Sequence, residues 1–169
     1  MELSVLDHLI QILEAGRRNV VDSVASLSDA DAATQPGPGR WSALECLEHI
    51  IFAEGIYLGW LENAVVLDEP QRNEEHEAWI TARVTTRDWK WQSPERAFPT
   101  GRFHAVADAL AEFHTIRDRT IAAAKARESQ LFSLQAKHAT LGLLNGVELM
   151  RLTEAHASRH ATQIREGRV

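Results

Sequence analysis

The sequence predicts an all-α fold: an up-and-down bundle of four long helices with one long crossover connection. Two observations predict it. Apolar residues recur at steps of three and four along four separate stretches, which is the period of one helical face. Segments bearing proline and glycine divide these stretches, and no strand pattern of comparable strength accompanies them.

The first helix covers residues 3–27, where Leu3, Leu6, Ile10, Leu13, Val20, Val24 and Leu27 form an amphipathic stripe broken only by Arg17. Gln35-Pro-Gly-Pro-Gly-Arg40 ends any helix and repositions the chain. Ser42 with Glu45 three residues on matches a capping box, so the second helix begins at Ser42 and runs to about residue 64. Trp41, just before the cap, is placed to close the start of that helix against the core. Leu44, Leu47, His49, Ile51, Phe52, Ile56 and Leu58 spread apolar character over a broad arc, which makes this helix central.

Between residues 68 and 101 the pattern weakens. Pro70, Pro94 and Pro99 punctuate it, and Trp79, Trp89 and Trp91 lie along it. The expectation is a short helical piece over 74–84 inside an irregular connection. Such a segment acts as a lid or binding loop, and its tryptophans are expected to pack over something. A third helix spans 104–127, with Phe103, Val106, Leu110, Phe113, Ile121 and Ala124 on one side. The fourth spans 143–166.

At 169 residues the chain fits one domain over 1–169, long enough to bury a core without staples. Its net charge of −6 argues against nucleic acid, whose phosphates reward a basic face. No apolar run approaches the roughly 20 residues that span a bilayer, which argues against a membrane protein. The first twenty residues do not form a signal core, and a single cysteine, Cys46, excludes an internal disulfide. Both point to a reducing cytoplasm.

The chemistry-bearing residues are histidines. Leu149, Leu152, His156, His160 and Ile164 share one face of the fourth helix, so its apolar stripe turns into histidine halfway along. Two imidazoles one turn apart read either as satisfied core residues or as chelating ligands. His49, from a second inward-facing helix, tips the reading to a metal. His8, His76, His104, His114 and His138 have no partner at ligand spacing and read as surface or second-layer residues. A closed structural zinc site uses four ligands, whereas three imidazoles leave a position open for water or substrate. An ion there could ionise water near neutral pH or lower the pKa of a thiol.

Other chemistries fall away. Cys46, Thr153 and Ala157 stand three residues before the histidines, so the Glu-x-x-His repeats of di-iron bundles are absent. Ala157 also stands where a zincin protease needs glutamate. Cys46 reads as a small core residue, with a fourth ligand or reactive thiol as the alternative. Glu45 and Glu48 are candidates for orienting His49, although capping and solvation account for them equally well. Glu54 and Gln163 are candidates to line the open coordination side. Arg159 and Arg165 are candidates for an anionic ligand.

Trp41-Ser-Ala-Leu-Glu-Cys-Leu-Glu-His49, with Leu141-Gly-Leu-Leu and His156-Ala-Ser-Arg-His160-Ala-Thr-Gln163-Ile, resembles the two signature blocks of the DinB/YfiT-like superfamily. These are metal-binding helical bundles, distinct from the DNA polymerase that shares the DinB name. The resemblance implies a dimeric bundle in which His49, His156 and His160 hold one divalent metal. Zinc is the first expectation, with nickel, iron and manganese as alternatives. Characterised relatives include thiol-dependent transferases and isomerases, which implies a small-molecule substrate and a low-molecular-weight thiol cofactor. The resulting expectation is a metal-dependent thiol transferase or hydrolase. The alternative is a non-catalytic metal-binding stress-response bundle.

Overall fold

The computed structural model describes residues 3–88 and 94–167. Trp89 and Trp91 lie outside the described residues. Four long helices form the bundle: α1 (Val5–Val24), α3 (Ala43–Asn63), α5 (Val106–Ala126) and α6 (Gly146–Glu166). Two shorter ones, α2 (Asp29–Ala33) and α4 (Glu74–Thr85), lie in the connections.

Each long helix packs on two others. α1 lies against α6 and α5, and α3 lies against α5 and α6. Going round the bundle the order is therefore α1, α6, α3, α5, with α1 and α3 on one diagonal. The connection through α2 and the proline–glycine turn carries the chain across that diagonal, and Gly39 in the turn has φ +69°, the left-handed region that glycine tolerates.

The capping box at Ser42 is formed as the sequence predicts. The Glu45 N–H donates to Ser42 Oγ at 3.2 Å, and the Ser42 N–H donates to Glu45 Oε2 at 2.6 Å. The predicted helical piece near residue 74 is α4, which packs on α6. His76 Nδ1 lies 2.6 Å from Glu148 Oε1, and Arg151 Nε lies 3.0 Å from Glu77 Oε2. Trp79 packs over a neighbouring ring and not into the core. It stays 47% exposed and stacks on His76, with ring centroids 5.5 Å apart.

The fourth long helix starts at Gly146 and not at the expected residue 143. Leu143 and Leu144 belong instead to a strand. Three short antiparallel strands, β1 (Val65–Val66), β2 (Leu134–His138) and β3 (Gly142–Leu144), pair in the order β1-β2-β3 at one end of the bundle. Asn145 caps α6 with a box of its own: the Glu148 N–H donates to Asn145 Oδ1 at 2.9 Å, and the Asn145 N–H donates to Glu148 Oε2 at 2.8 Å. Gly146 is required by close approach, since a Cβ there would lie 2.9 Å from the Leu131 carbonyl oxygen.

The core divides into two clusters. One gathers Leu9, Leu13, Leu61, Ile80, Leu149 and Met150; the other gathers Val20, Leu47, Ile50, Phe113, Ala157 and Ile164. Arg117 touches both. It is fully buried, donates to both Glu54 oxygens at 2.7 and 2.9 Å and to the Leu13 carbonyl, and lies over the Phe113 ring. An ion pair this deep holds only when each charge is met by a partner, as here.

Candidate metal centre

The Ser42 cap starts α3 so that His49 falls in its second turn, on the face turned toward α6. His156 and His160 stand one turn apart on α6, as their spacing predicts. The structure brings all three together. Ring centroids lie 5.0 Å apart for His49–His156, 4.7 Å for His49–His160 and 4.6 Å for His156–His160. One ring nitrogen from each falls within 4.8 Å of the others.

The orientation of His49 comes from a carbonyl. Its Nδ1 lies 2.8 Å from the oxygen of Ala97, in a short 3-10 turn (Glu95–Ala97) of the connection between α3 and α5. A carbonyl only accepts, so Nδ1 carries the proton and Nε2 is left with its lone pair. That Nε2 faces His156 Nε2 at 3.2 Å. A tetrahedral ion with bonds of about 2.0–2.1 Å would hold two such nitrogens about 3.4 Å apart. His160 adds a buried Nδ1 with no hydrogen-bond partner among the described residues, in a fold where buried polar atoms are normally paired.

The surroundings keep the rings neutral, the form that ligates. Burial lowers the pKa of His49, and the Ala97 hydrogen bond only partly offsets it. His156 and His160 are held well below the usual histidine range, first by burial and then by the neighbouring imidazoles and Arg159. Trp41 packs its ring against His49 at 4.8 Å and stacks on His160 at 6.0 Å. The residue expected to close the helix start therefore also walls the histidine cluster. Tyr57 meets His156 edge-on at 5.9 Å.

The other candidates do not converge on this point. Glu48 does not orient His49. Its carboxylate accepts from the N–H groups of Thr100, Gly101 and Arg102 and from the Thr100 hydroxyl. Burial alone would raise its pKa, but these hydrogen bonds outweigh burial and lower it. Glu45 serves the cap and Gln35. Glu54 pairs with Arg117, and Gln163 accepts from Arg87 at 3.1 Å. Arg159 donates to the Val84 and Thr86 carbonyls, closing the end of α4 on α6. Arg165 donates to Asn19. Cys46 is fully buried in the core, and burial pushes its thiol up to about 12, which excludes a thiolate nucleophile at neutral pH.

Ala97 was invisible in the sequence, because its contribution is a backbone oxygen. Its segment could be suspected only from Pro94 and Pro99, which bracket a tight turn. A cleft of about 590 Å³ adjoins His49, walled by α3, the 94–102 segment and α5.

Fold and cluster together define a class: helical bundles in which three histidines from two helices converge within reach of a single metal ion. The chain belongs to the DinB superfamily, whose family model matches residues 12–164 and so includes all three histidines. Among solved structures it is similar to YfiT from Bacillus subtilis, described as a probable metal-dependent hydrolase with an unusual four-helix bundle topology. The match covers 96% of this chain and 85% of that one, with a TM-score of 0.62 and 18% sequence identity, and supports the shared fold. A comparison with curated proteins found no match.

Proposed function

We propose that His49, His156 and His160 hold one divalent metal ion, zinc in the first instance, and that the protein is a metal-dependent enzyme acting on a small molecule. The observation that supports this is the convergence of three neutral imidazoles, one of them fixed by the Ala97 carbonyl so that its free lone pair faces the other two. Such an ion supplies Lewis acidity, which brings the pKa of a water or a thiol into the neutral range. The reaction type that follows is hydrolysis or thiol transfer. The description of YfiT as a probable metal-dependent hydrolase agrees with the first of these.

The chain's own residues do the positioning. Ala97 selects the tautomer of His49 and sets its ring angle, the task that a carboxylate or carbonyl performs behind most metal-binding histidines. Trp41 and Tyr57 brace the rings and keep water from their apolar edges. Arg159 holds the end of α4 against the helix that carries His156 and His160.

His156→Ala tests the assignment. It is expected to abolish stoichiometric metal binding while leaving most helicity, because two remaining ligands hold a metal weakly. Retention of stoichiometric metal by that variant would overturn it. Turnover is tested by screening the metal-loaded protein against ester and amide substrates and against low-molecular-weight thiols with electrophiles. Activity lost in His156→Ala supports an enzyme, and metal without turnover across the whole screen favours a binding bundle.

A further inference from the structure

The cleft beside His49 has a composition of its own. Phe52, Ile56 and Phe98 give it apolar surface, and Phe52 stays 39% and Phe98 53% exposed. Covering such surface is favourable in proportion to its area. Five charged side chains also line it: Glu48, Glu112, Arg96, Arg102 and Arg119. Three of these are already answered. Glu48 holds the 100–102 backbone, and Glu112 forms a two-bond pair with Arg102, both at 2.7 Å.

Arg96 and Arg119 remain, with no ion pair or hydrogen bond among the described residues. By contrast, Arg17, Arg87, Arg117 and Arg151 each have an acidic partner. Two uncompensated guanidinium groups beside exposed apolar rings, in a chain of net charge −6, form a local positive site on an otherwise acidic molecule. The planar guanidinium fork matches carboxylate and phosphate oxygens.

We infer that this cleft binds a small organic anion, with a carboxylate, phosphate or sulfonate head held by Arg96 and Arg119 and an apolar body laid on Phe52, Ile56 and Phe98. The position has a consequence for the histidines. Arg96 directly precedes Ala97, whose carbonyl orients His49, and the Phe98 ring meets Trp41 at 6.2 Å. An occupant drawn to Arg96 bears on the same short turn that orients His49. The inference names a ligand class for the metal reading but does not rest on it: His49 lines the same cleft, but the anion would be held by Arg96 and Arg119 and not by the three imidazoles.

The test is a titration of the purified, tag-free protein with 8-anilinonaphthalene-1-sulfonate, an anionic aryl probe, and with N-phenyl-1-naphthylamine as its uncharged counterpart. Near-ultraviolet circular dichroism checks that each variant keeps its packing. Saturable one-to-one binding of the sulfonate is expected. The double variant Arg96→Gln, Arg119→Gln is expected to weaken it at least about tenfold, the loss for charge-assisted hydrogen bonds, while leaving the uncharged probe unchanged. Phe98→Ala is expected to weaken both probes. His156→Ala serves as the control that separates the two sites, and sulfonate affinity in it is expected to match the unmodified protein. Equal sulfonate affinity with and without the two arginines would overturn the inference. So would sedimentation showing a dimer that covers the cleft and dissociates on Phe98→Ala.

Discussion

At the scale of single residues, the three imidazoles matter because burial keeps them neutral. Their pKa values are lowered in the folded chain, whereas in the unfolded chain they return to about 6.5. Below that value the unfolded chain binds protons that the folded one refuses, so stability falls as pH drops. Urea unfolding of metal-free protein is expected to show a lower midpoint at pH 5.5 than at pH 7.5. A midpoint that does not move between those values would contradict the neutral cluster. The depressed pKa of Glu48 acts in the same direction but in a more acidic window, since an ordinary glutamate titrates at about 4.3. The histidines themselves were legible in the sequence, because a helical stripe that turns from leucine to imidazole is a pattern of identity and spacing. What held His49 was not legible. Glu45 and Glu48 stood at plausible positions, but one was needed by the helix cap and the other by three backbone N–H groups.

At the scale of elements, the connection between α3 and α5 works by clamps. Glu48 fixes residues 100–102, and the turn just before them orients His49 through Ala97. Glu48→Ala is expected to loosen that turn and weaken metal binding about tenfold, the lower end of losses seen behind metal ligands, with helicity retained. Calorimetric titration with zinc checks it, and an unchanged affinity would show that the turn holds without the clamp. Gly146→Ala addresses the start of α6. A methyl group there would meet the Leu131 carbonyl oxygen at 2.9 Å, and overpacking of this kind costs about 1–3 kcal/mol, measured as a lower denaturation midpoint. The two caps differed in legibility. Ser42-x-x-Glu45 follows a proline–glycine loop and could be read directly. Asn145-x-x-Glu148 is the same device, but Leu143 and Leu144 continued the apolar period into it. Only pairing with β2 turns those two leucines into a strand.

At the scale of the whole molecule, the four long helices and their inward faces followed from apolar periodicity, which is local, whereas the five-residue α2 is too short to show a period. The order of helices round the bundle did not, because the connection through α2 is long enough to reach an adjacent position or, as it does, the diagonal one. Arg117 is the clearest case of a residue whose role appears only in three dimensions. The apolar stripe expected for the third helix, with Phe113 and Ile121, gave it no part. In the fold it joins Leu13, Glu54 and Phe113, and so joins both core clusters. Arg117→Met is expected to cost about 3–5 kcal/mol, because it leaves the Glu54 carboxylate buried without a partner. The double variant Arg117→Met, Glu54→Leu is expected to recover much of that loss. Chemical denaturation of both variants checks it, and a double variant no more stable than the single one would show that the pair contributes beyond mutual neutralisation.

Whether the three histidines hold a metal decides the proposed function. The direct measurement is elemental analysis of protein purified without an affinity tag, loaded with zinc and freed of excess by gel filtration, alongside His49→Ala treated identically. About one ion per chain is expected for the unmodified protein and little in the variant. Less than about 0.1 ion per chain in the unmodified protein, or equal metal in both, would contradict it.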